Sequence, residues 1–493
     1  MTRARLSLNW KHLAVLAVLI SPLLLGAGCK KGIPKDVAAR LKPVQLEWWG
    51  VQETEDEVQP ILDEYRKVNP HVSITYRRFR FDEYERRLLN AIAEGDFKGP
   101  DIFALPSSWA RKYRSKLLPA PRTVTMPFKE MRGSVKKELY AELRTTRLPA
   151  PSELGNLFLD AVVQDAVFET EPVEGKTQES AVFGLPLAVD TLVMYANRDL
   201  LNAAGIPEPA KTWTELQTHI PRLTKLDAQG KLVQSGAAIG TSRNVQRSFD
   251  LLSLLMMQNG AVMATSDGEV RFHQIPSSLS GTRQTPPGLD ALLYYTDFAN
   301  PTKLIYTWNA EQPDSLEAFL QGRTAYFFGY SYHRPIIAAR APRINLSVTG
   351  IPHIAAAMDP TTGTVVGSDV IEGTQAVAIN YANLWLQTVS ERTKYPNETW
   401  DLVQFMTTKT PVVKQVLATS QRPTALRSLV AEQLQDPQLK VFAAQLLTSR
   451  TWYRGLQPEA AERALHELMD DVLGGGDPNR ALQLTAEKIN QTL

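Results

Sequence analysis

Between Val44 and Leu105 the chain alternates two kinds of apolar spacing, and that alternation restricts the fold more than any other feature. Val44–Trp49 reads as a strand, and Thr54-Glu55-Asp56-Glu57 reads as a capping box with acids in the first helical turn. Behind it Val58, Ile61, Leu62 and Tyr65 recur on one helical face until Asn69-Pro70 stops the helix. Val72, Ile74 and Tyr76 then alternate as a strand does. Phe81–Glu94 returns to helical spacing through Tyr84, Leu88, Ala91 and Ile92, with Gly95 closing it. Gly99-Pro100 leads into a short apolar strand, Asp101–Leu105. The order βαβαβ predicts an α/β fold with a parallel sheet and helices on its faces. Ligands of such sheets lie beyond the carboxyl ends of the strands, here near Trp49–Glu53 and Pro106–Trp109.

A second stretch sets the organisation of the rest. Phe183–Asn197, FGLPLAVDTLVMYAN, is nearly continuous Val, Leu, Ala and Met, interrupted only by Pro186 and by Asp190-Thr191. Runs of this density belong to strands buried on both faces. A carboxylate in the middle is costly to bury unless paired or turned to a cleft. Asp190 therefore marks either a polar kink between two core strands or the point where a strand leaves one lobe for another. With 493 residues, more than one core is expected. Further on, Thr212-Trp213-Thr214-Glu215 opens another helix, and Ala291–Phe298 and Ser315–Leu320 read as helices. Thr324–Phe328 and Ala376–Ile379 read as short buried strands, the latter beside a candidate second crossing at Thr374-Gln375. Two striped helices end the chain, one with Ala461, Leu465, Leu468 and Val472, the next with Leu482, Ala486, Ile489 and Leu493. Arg122–Ser180 is less legible, a mix of basic helix, Pro-rich turn and an acidic loop at Glu169–Glu179.

Cysteine use is restricted to Cys29, so no intramolecular disulfide forms. It follows Arg3, Arg5 and Lys11, an apolar run Leu13–Leu25, and Gly26-Ala27-Gly28. The run is too short for a comfortable membrane span and has the layout of a secretory signal. A lone Cys directly after the small residues resembles a bacterial lipoprotein signal, although Gly26 stands where that pattern has Leu. The resemblance implies lipidation at Cys29 and a protein held outside the cytoplasm, on the outer face of the cell membrane or in the periplasm. The formal charge is +2, and the first 28 residues hold three bases and no acid, so the remainder stands at −1. Near-neutrality without basic blocks gives no support for nucleic-acid binding, and no nucleic-acid partner is expected.

Enzyme motifs are missing. The chain has no G-x-S-x-G, G-x-x-x-x-G-K-[ST] or G-x-G-x-x-G segment, and its seven histidines show no metal-ligand spacing. No catalytic residue, metal or cofactor is assigned. Aromatics in polar, loop-like contexts stand out instead: Trp49 near Glu53, Trp109 after Ser107-Ser108, Tyr330-Ser331-Tyr332 after Gly329, and Trp452-Tyr453 before Arg454. Indole and phenol rings beside hydrogen-bonding groups suit a sugar, which has apolar C–H faces and a rim of hydroxyls. Trp213 and Trp400 read as packing residues.

Four segments carry a resemblance. VQLEWWGVQETEDEVQPILDEYRKVNP, GPDIFALPSSWARKYRSKLLPAP, VFGLPLAVDTLVMYANRDLLNAAGIPEPAKTWTEL and FLQGRTAYFFGYSY, in that order, resemble the maltose-binding-protein-like extracellular solute-binding proteins of ABC importers. The resemblance implies a type II periplasmic-binding-protein fold, two α/β lobes joined by crossing hinge strands with a ligand cleft between. It implies a signal at 1–28, a lipidated tether at 29–43, a first lobe at 44–189 plus about 370–405, and a second at 190–369 plus about 406–493. It implies a monomer that binds a small-molecule ligand, a carbohydrate or oligosaccharide, and hands it to importer membrane subunits. Ligand-binding positions carried over are Trp49, Glu53, Ser108, Trp109, Asp190, Tyr330, Tyr332 and Trp452, with Asn244 and Arg247 resting on loop position. A binder of peptide, polyamine or another small solute, a secreted glycan-cleaving enzyme, and a structural lipoprotein remain open as alternatives.

Overall fold

The computed structural model describes residues 33–93, 99–134, 137–172, 177–265, 267–281, 283–354 and 379–493. The signal segment, Cys29 and the crossing expected at Thr374-Gln375 lie outside the described residues. Two compact units form, one from the residues up to Pro43 with Thr125–Thr145, the other from Val44–Val124 and Thr146–Leu493.

The larger unit begins as the spacing predicts. Strands β1 (Val44–Gly50), β2 (Val72–Arg78) and β3 (Ile102–Pro106) are parallel, with β1 between the other two. Their connections are the helices Glu55–Val68 and Phe81–Ala93. The first opens on the predicted capping box: Glu57 N–H donates to Thr54 Oγ1 at 3.3 Å, and Thr54 N–H to Glu57 Oε2 at 3.1 Å.

The less legible stretch opens with a long hairpin, β4 (Thr123–Arg132) with β5 (Glu138–Arg147), in place of the basic helix expected, and adds a short pair, β6 (Val167–Glu169) with β7 (Ser180–Val182). The hairpin's Thr125–Thr145 section belongs to the smaller unit. There Arg144 lies 3.1 Å from the Phe128 ring centroid, and Arg40 donates to Thr125 O at 2.9 Å. Arg40 closes a helix, Lys35–Arg40, where the sequence suggested only a tether. Asp36 in its first turn and Arg40 in its last complement the helix dipole, and Val37 is buried.

Strand β8 (Gly184–Thr191) joins the first sheet and β9 (Val193–Asn197) the second. The apolar run is therefore a crossing between sheets, and the turn-over falls at Leu192, whose N–H donates to Tyr381 O at 3.0 Å. The second sheet runs β10 (Lys225–Leu226), β11 (Leu232–Ala237), β12 (Thr324–Gly329), β9, β13 (Leu346–Gly350). The chain then returns to the first sheet through β14 (Asn380–Val389), antiparallel to both β3 and β8, while β15 (Ser449–Arg450) pairs with its start at Asn380 and Tyr381. β14 is the strand the sequence conceals. Asn380, Asn383, Gln387 and Thr388 break its apolar run, yet Gln387 Oε1 accepts the indole N–H of buried Trp48 at 2.9 Å. Thr388 Oγ1 likewise donates to Phe103 O at 2.6 Å.

Helices Pro396–Thr408 and Thr410–Ser420 pack on Glu55–Val68, so the helical cover of the first sheet runs past the boundary expected near 405. The second sheet's core gathers Leu251, Tyr295, Trp308 and Phe328 with the predicted stripes of Pro458–Leu473 and Pro478–Asn490. The buried amide of Gln445 fastens the crossing: its Nε2 donates to Thr191 Oγ1 at 3.1 Å and to Leu192 O at 3.0 Å. Its Oε1 accepts the Ile351 N–H at 2.9 Å.

Candidate ligand-binding site

Asp190 is the last acid before the crossing and is 7% exposed. Its Oδ1 accepts the Thr191 N–H at 2.8 Å, and its Oδ2 accepts both the N–H (2.9 Å) and the hydroxyl (2.6 Å) of Ser331. Burial pushes the Asp190 carboxyl up to about 6, against these hydrogen bonds and the charge of Arg422, which hold it down. The acid is thus neither free nor a mere kink. It ties the end of β8 to the turn after β12.

That turn carries three aromatic groups. Tyr195 Oη donates to Tyr330 O at 2.6 Å, and Tyr330 N–H donates to His333 Nδ1 at 2.9 Å. With Nδ1 accepting, His333 Nε2 carries the hydrogen and donates to Gln246 Oε1 at 3.0 Å. Burial lowers His333 to about 3, so it is neutral there. Tyr330 is buried and its hydroxyl donates to Asp250 Oδ2 at 2.6 Å. Arg247 Nε reaches the same oxygen at 2.6 Å, with its guanidinium 5.5 Å from the Tyr330 ring centroid. Arg247 holds a left-handed backbone at φ 62°, unusual for a side-chain-bearing residue, and its side chain is 38% exposed. Tyr332, 37% exposed, stacks 5.9 Å from Tyr330 and 4.2 Å from the His333 ring.

On the first-sheet side, Glu53 follows β1 in the loop beyond the strand's carboxyl end. Arg422 gathers that loop: Nη1 donates to Glu53 Oε1 at 3.2 Å and to Gln52 Oε1 at 3.1 Å, and Nη2 to Glu57 Oε2 at 2.8 Å. Glu53 is 2% exposed, and its other carboxylate oxygen is buried without a hydrogen-bond partner among the described residues. Tyr76 Oη secures the loop by donating to Glu53 O at 2.7 Å.

Asp190, Arg247, Tyr330 and Tyr332 therefore come together, with Glu53 linked to Asp190 through the field of Arg422. The other expected positions lie elsewhere. Trp49 is buried beside Phe79, ring centroids 4.5 Å apart, and its indole N–H donates to Glu47 Oε1 at 2.6 Å. Ser108 and Trp109 form a 3-10 turn after β3; Trp109 is buried against Tyr113, 6.2 Å away, with Lys112 Nζ 5.3 Å from its ring. Lys112 in turn bonds Glu85 at 2.6 Å and Glu459 of helix Pro458–Leu473 at 3.1 Å. Asn244 is a loop brace: Nδ2 donates to Asn309 O and Gln312 O, both at 2.9 Å, and Oδ1 accepts from Trp308 Nε1 at 3.2 Å. Trp452 lies inside the second core, 3% exposed, with its N–H donating to Ser253 Oγ at 2.9 Å. Phe249 stacks on it at 5.9 Å, so it packs the lobe where an open ring face was expected.

Reading the sequence alone missed Asp250, Ser331, Glu57 and Arg422. Arg247 and Asp250 stand three apart and Glu53 and Glu57 four apart, which are contact spacings on a helix and its entry. Arg422 gives no comparable signal, since its acidic partners lie some 370 residues earlier. Among the described residues no group of three His, Cys, Asp or Glu is placed to hold a metal.

Residues 50–412 match the family of bacterial extracellular solute-binding proteins. Solved structures align over nearly their whole length. A Thermotoga lettingae ABC transporter solute-binding protein, bound with α-D-tagatose, is 18% identical with TM-score 0.60, covering 91% of this chain and 99% of its own. A Listeria monocytogenes ABC substrate-binding protein, in complex with cycloalternan, is 16% identical with TM-score 0.62 over 91% and 99%. A cyclic α-maltosyl-1,6-maltose binding protein from Arthrobacter globiformis is 16% identical with TM-score 0.65 over 91% and 98%. The two sheets joined at Leu192 and β14 are the two lobes of the type II periplasmic-binding fold that these proteins share.

Proposed function

The chain belongs to the bacterial extracellular solute-binding proteins, and from that membership we propose that it captures a carbohydrate outside the cytoplasm and delivers it to an ABC importer. The observation that carries this reading is the cluster at the crossing, where Asp190, Ser331, Tyr332, Arg247 and Arg422 converge from both sheets. Tyr332 offers a phenol face for the C–H side of a sugar ring, and the charged and amide groups around it offer partners for hydroxyls. Glu53 stands on the first-sheet side of the cluster, joined to it through Arg422. Sugar bound between lobes draws them together about Leu192 and the start of β14, a hinge closure in which a few backbone torsions at element ends change.

Cys29 anchors the protein to the membrane by lipid, in keeping with the signal-like segment before it. Cys29→Ser should release the folded protein from the membrane fraction, and continued partitioning with membranes would remove the anchor from this account. The binding reading is tested by thermal shift across a panel of oligosaccharides. A sugar at 100 times its dissociation constant adds about 2.7 kcal/mol of stability. A shift with a non-carbohydrate solute and none with any sugar would overturn the carbohydrate assignment.

A further inference from the structure

The way the charges at the crossing are engaged bears on which solute it accepts. Four carboxylates, Glu53, Glu57, Asp190 and Asp250, stand with the guanidiniums of Arg422 and Arg247, while two further cations act on the neighbouring tyrosines, Arg78 on Tyr76 and Arg334 on Tyr195, and donate to the carbonyls of Val51 and Gln438. Both guanidiniums are already engaged: Arg247 is bound to Asp250 at 2.6 Å, and Arg422 spans Glu53 and Glu57 at 3.2 and 2.8 Å. His333 is buried and neutral beside them. Asp190 is held by N–H and O–H donors, with no ion pair among the described residues. Glu53 adds a second, independent observation. Its Oε2 is a buried acceptor with no donor among the described residues, and a carboxylate oxygen taken from water without one is strongly unfavourable.

We infer that this cleft selects for positive charge in its carbohydrate: an amino-substituted sugar is held most tightly, a neutral sugar next, and a uronate or sugar phosphate is rejected. An ammonium group supplies the donors that Glu53 Oε2 lacks and a counter-charge for Asp190. A carboxylate or phosphate brings only acceptors into a site whose cations are already engaged by carboxylates or carbonyls, where repulsion is weakly screened. Two of the acids, Glu53 and Asp190, are almost fully buried, so the preference does not rest on surface charge that salt would erase. This inference rests on the carbohydrate reading proposed above.

The test titrates the full-length protein with tetramers of glucosamine, glucose and galacturonate, and with spermidine, following melting midpoint and heat of binding. The expected order is glucosamine, then glucose, then galacturonate, with about tenfold or more between first and last. Glu53→Gln, whose melting midpoint reports folding and whose Arg422 keeps Glu57, should narrow that gap. Galacturonate binding as tightly as glucosamine overturns the charge selection and leaves the carbohydrate reading intact. Spermidine binding with no response to any tetramer keeps the charge selection and overturns the carbohydrate reading. A gap unchanged in Glu53→Gln overturns the role given to Glu53, and silence with every probe overturns both inferences.

Discussion

Trp452→Ala separates a packing indole from a ligand platform. In the structure the ring is closed in by Phe249 at 5.9 Å, Phe272 at 6.4 Å and Tyr453 at 5.7 Å, all within the second core. Truncating a buried Trp to Ala costs about 3–5 kcal/mol through lost transfer energy and the cavity left behind. The change also strips a donor from the Ser253 hydroxyl, which is wholly buried, adding about 1 kcal/mol or more. Urea denaturation of the ligand-free protein should therefore show a loss of about 4 kcal/mol or more. Trp452→Phe keeps an aromatic ring but gives up the N–H and part of the indole volume, so its loss should be smaller than that of the Ala variant, about 2 kcal/mol. Sugar affinity, titrated where both variants remain folded, should stay close to wild type. Ligand-free stability nearly unchanged, together with binding weakened tenfold, would show that the ring faces the cleft and that the packing argument fails.

Two further perturbations address the crossing itself. Asp190 sits at about 6 when folded against 3.8 in the unfolded chain, so the unfolded state gives up its proton first as pH rises. The buried acid therefore stabilises the protonated native state below about pH 4, and that contribution is lost as pH climbs to 6, by about 3 kcal/mol in all. Asp190→Asn should gain on wild type by up to that amount between pH 4 and 7 in denaturation midpoints; parallel pH profiles would rule the linkage out. Gln445→Leu removes three hydrogen bonds and leaves the Leu192 carbonyl and Ile351 N–H buried without partners, a loss of about 3 kcal/mol in unfolding free energy. A loss below about 1 kcal/mol would mean that the crossing does not depend on this amide.

What the sequence disclosed follows from how local the signals are. The βαβαβ opening is legible because each element announces itself within a few residues: Thr54 and Glu57 cap a helix whose stripe begins at Val58. Asp190 is legible because a carboxylate interrupting an apolar run demands an explanation, and the crossing at Leu192 supplies one. β14 is hidden because its polar residues are satisfied by distant partners, Gln387 by Trp48 and Thr388 by Phe103. The same distance hides Arg422, whose role exists only once Glu53 and Glu57 are brought beside it. The tryptophans misled for the complementary reason. Trp452 stands next to charged residues in the chain, but its surroundings in the fold are Phe249, Phe272 and Ser253.

Calorimetric titration of Tyr332→Ala with the sugar that most stabilises the wild-type protein tests most directly whether ligand is held at the crossing. Tyr332 is the exposed ring of the cluster, so its removal should leave the fold intact while withdrawing the face on which a sugar rests. Loss of such a contact is worth about 1.4 kcal/mol or more, which corresponds to affinity about tenfold or more below wild type. An affinity equal to wild type in a variant with unaltered melting would place the ligand elsewhere and contradict the account.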